Sequence, residues 1–171
     1  DIAVFDTAQF AGLGASQISA LSTTQVAGLA TTQLSSLASD QLTALSSTQV
    51  AALTLTQLGA LTLDQIPALT VTQIKGFSST GIANLAAEQV AAFTTTQLGS
   101  LSVMQVRGLA AEDITLLSPE QMNVLTPGQL SQLSVSAIGG FEPATIMALS
   151  STQWGGITNI QLRAFSESQL G

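Results

Sequence analysis

The 171-residue chain contains no cysteine and no histidine. Disulfides, thiolate chemistry and metal sites built from His or Cys are therefore excluded. Positive charge is almost as scarce. Lys75, Arg107 and Arg163 stand against ten acidic residues, for a formal net charge of −7. A nucleic-acid partner needs a basic stripe to neutralise phosphates, and none exists here. An anionic membrane surface makes the same demand. Long apolar runs are also missing, because Gln, Ser or Thr interrupts the chain every few residues. No stretch approaches the roughly 18 apolar residues of a membrane span, so no membrane insertion is expected.

These absences leave little for catalysis. The one adjacent acidic pair, Glu112-Asp113, reads as charge placed at a helix N-terminus. The many Ser and Thr residues have no base beside them to make a nucleophile. The acids are too dispersed for a calcium loop. The sequence accordingly assigns no catalytic, cofactor-binding or metal-ligating residue and implies no cofactor, and the chain is not read as an enzyme.

What fills the chain is a repeat of eight residues. Leu45-Ser-Ser-Thr-Gln-Val-Ala-Ala is one copy, and its leading apolar residue recurs from Phe5 to Phe165 without insertion or deletion. The leading position is Leu, Phe or Ile in all 21 registers; the next is Ser or Thr in 14, and Gln follows three residues later in 17. Ser/Thr-x-x-Gln is the capping box of a helix N-terminus, in which hydroxyl and carboxamide each satisfy one orphan N–H. Ser46 with Gln49, Thr54 with Gln57 and Thr62 with Gln65 are the clearest pairs, read as structural caps. Pro119, Pro127 and Pro143 fall on the first helical residue, where a missing N–H costs nothing. Asp40, Asp64, Glu88, Glu112 and Glu120 fall one residue later, where acids suit the helix dipole.

A continuous helix would turn its apolar stripe by about 80° per octad, since eight residues do not fit whole turns. Each octad is therefore read as one short helix followed by a redirection. Such helices exist only when stacked neighbours bury them, so the expected fold is an all-α solenoid with one helix per octad. The domain reading is a lead-in over residues 1–4 and one solenoid over 5–171. A β-solenoid is disfavoured because the two apolar positions lie five apart and would point to opposite faces of a strand.

A longer period overlies the octad. Gly12, Gly28, Gly76, Gly108, Gly140 and Gly156 precede leading residues and differ by multiples of 16. This phase predicts two octads per coil, with these as coil-corner glycines allowing a close approach or a positive φ. Ten such coils at the helix-packing distance would span about 80–100 Å. Three octads per coil is the competing reading, supported by the 24-residue phase of Phe93, Phe141 and Phe165. At helix spacing the glutamines lie too far apart for an amyloid-type ladder, so each is expected to serve as a cap only. Between Leu133 and Leu149 the pattern weakens, with Ala137 and Thr145 in place of Gln, which reads as repeat decay. Trp154 is expected in the core. Neither end of the array has a polar capping unit, so either the repeats continue or copies stack head to tail.

The units Leu117-Ser-Pro-Glu-Gln-Met, Leu125-Thr-Pro-Gly-Gln-Leu and Leu61-Thr-Leu-Asp-Gln-Ile resemble the short repeats of very large secreted bacterial proteins described as adhesin- or haemagglutinin-like. The resemblance implies an extracellular or cell-surface location and a structural or adhesive role. The expected partner is the chain itself, as a head-to-tail homopolymer; the alternative is a host-protein or glycan ligand on the variable positions.

Overall fold

The computed structural model describes residues 4–170 and, within them, twenty-one α-helices of four to six residues. There is one helix per octad, and no strand among the described residues. Of the expected lead-in, residues 1–3 lie outside the described residues, and Val4 is exposed.

The capping chemistry explains why the helices begin where they do. Ser46 is extended (φ −70°, ψ 161°), and its Oγ accepts the N–H of Gln49 at 3.2 Å. The residue before it, Leu45, is also extended (φ −67°, ψ 132°). Two consecutive extended residues turn the chain through a corner and point the next helix along a new side. The same pairing recurs along the chain, for example at Thr54 and Gln57 and at Thr62 and Gln65, where each hydroxyl accepts the Gln N–H at 3.2 Å.

Helices in close contact are three apart in sequence. Helix α1 (Thr7–Ala11) stacks with α4 (Thr31–Ser35), α2 (Ala15–Ser19) with α5 (Ser39–Ala44), and α3 (Thr23–Ala27) with α6 (Ser47–Ala51). The same step continues up to α18 (Pro143–Ala148) and α21 (Glu167–Leu170). The architecture is the expected short-helix solenoid, but its coil holds three octads, or 24 residues, and the expectation of two is corrected. Twenty-one helices taken in threes make seven coils, a rod of roughly 55–70 Å at ordinary helix spacing.

The glycine phase misled because it records a local contact and not the coil period. A Cβ on Gly76 would come within 2.6 Å of the Ser47 carbonyl oxygen, 29 residues earlier and one coil below. Gly108, Gly140 and Gly156 press in the same way on Ser79, Ala111 and Pro127. These four stand on all three sides of the solenoid, so they mark no single corner. Gly12 and Gly28 lie in the first coil, with no coil beneath them in the structure. Both are right-handed (φ −76° and −87°), and no described glycine has a positive φ. Glycine here serves close approach alone.

The core is a column inside the three sides. Each octad contributes its leading residue and the apolar residue after Gln, as in Leu45 and Val50. Their burial at the two ends shows which way each points. In the first coil the leading Phe5 is 44% exposed, while Phe10 is fully buried. In the last coil Leu162, after its Gln, is 48% exposed, while the leading Phe165 is 8% exposed. Leading residues thus pack on the coil below, and residues after Gln pack under the coil above. Phe141 and Phe165, one coil apart, meet edge to face with centroids at 5.9 Å. Trp154 is partly buried against the core and tilts over Phe165 at 6.1 Å.

Candidate functional site: the glutamine ladder

The side chain at the Gln position does two jobs at once. Its Oε1 completes the cap, as Gln49 Oε1 does by accepting the Ser46 N–H at 2.7 Å. Its Nε2 reaches down to the coil beneath, where Gln49 donates to the carbonyls of Ser19 and Leu21 at 3.2 and 2.7 Å. Gln57 donates to Val26 and Leu29, and Gln65 to Leu34 and Leu37. The acceptors are last-turn carbonyls of short helices, such as Val26 and Leu34, which also take the N–H of Leu29 and Leu37, and the corner carbonyls that follow, which lie past the helix end. The carboxamide therefore ties an N-terminus in one coil to a corner in the next. The expectation that Gln is a cap only is corrected: it is also a ladder, running from side chain to backbone.

Where the cap position is Gly or Ala the Gln half persists alone. Gln17, Gln33, Gln41 and Gln89 still accept the N–H of Gly14, Ala30, Ala38 and Ala86. The glutamine is thus the more constant partner of the box.

Four positions interrupt the ladder. Gly81 and Ala137 keep only the hydroxyl half of the cap, from Ser78 and Ser134. Thr145, behind Glu142-Pro143, belongs to a helix with no side-chain cap. Asp113 takes the Ala110 N–H at 2.7 Å, but a carboxylate has no proton to give to the coil below. It is 4% exposed. Burial raises its pKa, the Ala110 N–H opposes this, and the adjacent Glu112 charge adds to the rise. Two of the breaks, Ala137 and Thr145, fall in the same coil, so that Gln129 is the one ladder glutamine that ties it to the coil beneath, beside the Thr115 hydroxyl donating to the Gly140 carbonyl.

The 24-residue coil also brings surface residues into columns. Asp40, Asp64, Glu88 and Glu112 occupy one side in four successive coils, all exposed. Thr24, Thr48, Thr72 and Thr96 do the same on another side. On the third side, Arg107 donates through Nε and Nη2 to Gln132 Oε1 at 2.9 and 2.5 Å, bridging adjacent coils. No described helix is long and apolar enough to cross a membrane.

A protein family described as the ALTTAQ repeat matches residues 1–31 and 34–71. The chain is similar to that family over those segments, and the register of its name is visible in Ala60-Leu61-Thr62-Leu63-Asp64-Gln65. No curated protein matches the sequence.

Proposed function

We propose that this short-helix repeat array is a structural rod of the extracellular space or cell surface, contributing to a filament, fibre or stalk by end-to-end stacking. The observation that carries this reading is the repetition of one interface. Each coil meets the next through the same apolar interlock and one to three Gln-to-carbonyl ties, so coils add length without changing cross-section. The scarcity of cations and the many exposed Ser and Thr positions suit a spacer. Electron microscopy of the purified chain at high concentration tests it. Thin filaments with the width of one solenoid support the reading; dispersed short particles at every concentration refute it.

A second reading, an adhesin segment, is favoured by the columns of carboxylates and threonines, which present a regular pattern to a ligand. A glycan and host-protein binding screen with no hit at millimolar concentration would count against it.

A further inference from the structure

The junction between the fifth and sixth coils is tied along one side and barely held at the opposite corner. The lower coil is α13 (Val103–Val106), α14 (Ala111–Leu116) and α15 (Pro119–Asn123). The upper coil is α16 (Pro127–Leu130), α17 (Val135–Ile138) and α18 (Pro143–Ala148). Helix α16 is fastened to α13 at both ends. In its first turn Gln129 Nε2 donates at 2.8 Å to the Leu101 carbonyl, just before α13. Past its end, Gln132 Oε1 accepts two N–H groups of the Arg107 guanidinium, which follows α13.

The corner facing that side lies between α14 and α15 below and between α17 and α18 above. By the spacing of the ladder, residue 137 would donate to Leu109 and residue 145 to Leu117. Ala137 has no donor to offer, and among the described residues no side chain donates to the Leu109 or Leu117 carbonyl. Helix α18 also starts with no side-chain cap, at Glu142. The one tie near this corner is the Thr115 hydroxyl, 3.3 Å from the Gly140 carbonyl. Its single proton is shared with the Ala111 carbonyl at 3.0 Å. Every other junction keeps at least two ladder glutamines, as Gln105 and Gln121 do one coil below. The apolar interlock is intact here: Leu125, Leu133 and Phe141 above and Val106, Ile114 and Met122 below are at most 4% exposed. Apolar contact has no preferred direction, so it holds the coils together without fixing their tilt.

We propose that this junction is a hinge with one direction of opening. The sixth and seventh coils tilt together about the α13–α16 side, and the corner between α17 and α18 lifts away from the corner beneath it. The inference goes beyond end-to-end assembly and holds for a single copy of the chain.

Pulsed electron paramagnetic resonance on three cysteine pairs tests it, since the chain has no cysteine of its own. Thr72→Cys with Ala144→Cys spans the opening corner, and Thr56→Cys with Gly128→Cys spans the tied side. Thr24→Cys with Thr96→Cys lies wholly below the junction. All six positions are exposed, and each pair is three coils apart. A Cβ on Gly128 meets nothing closer than 3.9 Å. The corner pair is expected to give a broader distance distribution than the other two, with a tail to longer distance. Thr145→Gln supplies a donor at that corner and is expected to narrow the distribution to the width of the others; an unchanged width would overturn the proposal. Equal widths for all three pairs, or a tied-side pair as broad as the corner pair, would also overturn it, and that comparison needs only the labels.

Discussion

Gln73 Nε2 lies 2.7 Å from the carbonyl oxygen of Leu45, 28 residues earlier in the chain and one coil below. The same side chain holds the Thr70 N–H through Oε1 at 2.8 Å. One residue thus starts a helix and fastens it to its neighbour, which lets helices of four or five residues persist although each is far too short to be stable alone. Gln73→Leu should cost about 2–4 kcal/mol, because it leaves buried main-chain groups unpaired as well as removing bonds. Thr70→Ala removes one capping bond and should cost about 1 kcal/mol. Urea denaturation of the two variants checks the order; equal losses would reduce Gln73 to a simple cap.

The junction beneath Ala137 and Thr145 has one ladder glutamine where the junctions at either end of the rod have three. Amides of residues 134–148 should therefore exchange with deuterium faster than those of residues 46–60. Thr145→Gln should slow that exchange and add about 1 kcal/mol, since it offers a donor to the coil below. Uniform protection along the chain would show that the ladder does not set local stability.

Asp113 gives a pH signature. Its folded-state pKa is raised above the usual carboxylate value, chiefly by burial. A raised acid favours the folded state fully only below its unfolded pKa, and that contribution is lost as pH rises through the folded pKa. Asp113→Asn should therefore leave stability nearly unchanged near pH 3 and raise it at pH 7, where the native carboxylate is buried and ionised. Thermal melts at the two pH values measure the difference. A gain of equal size at both would trace to packing and not to charge.

Gly140→Ala would push a Cβ into the Ala111 carbonyl of the coil below and should cost about 2–3 kcal/mol. At Gly12 the nearest atom is its own helix's Gln9 oxygen at 3.4 Å, so Gly12→Ala should cost nothing measurable. Denaturant midpoints of the pair compare position, since the chemical change is identical.

Much of this was legible in the sequence. The octad, the Ser/Thr-x-x-Gln cap and the prolines at the first helical residue each express a local rule, and local rules survive in any tertiary setting. The coil period is a long-range property, and the glycines obscured it: Gly76 and Gly108 record contacts 29 residues away, not corners. The better signal lay in exposed positions. Asp40, Asp64, Glu88 and Glu112 are spaced by 24, as are Thr24, Thr48, Thr72 and Thr96. Free of packing demands, they vary by side of the solenoid and so report its period. The second bond of each glutamine was hidden because its acceptor is backbone, which leaves no residue type to read.

The central claim, three octads per coil, is tested most directly by a distance. The absence of native cysteine allows spin labels at Thr24→Cys and Thr96→Cys, measured by pulsed electron paramagnetic resonance. Three coils separate these sites, and the predicted distance is about 24–30 Å at ordinary helix spacing. A distance of about 36–45 Å, as four and a half coils of two octads would give, would contradict the account.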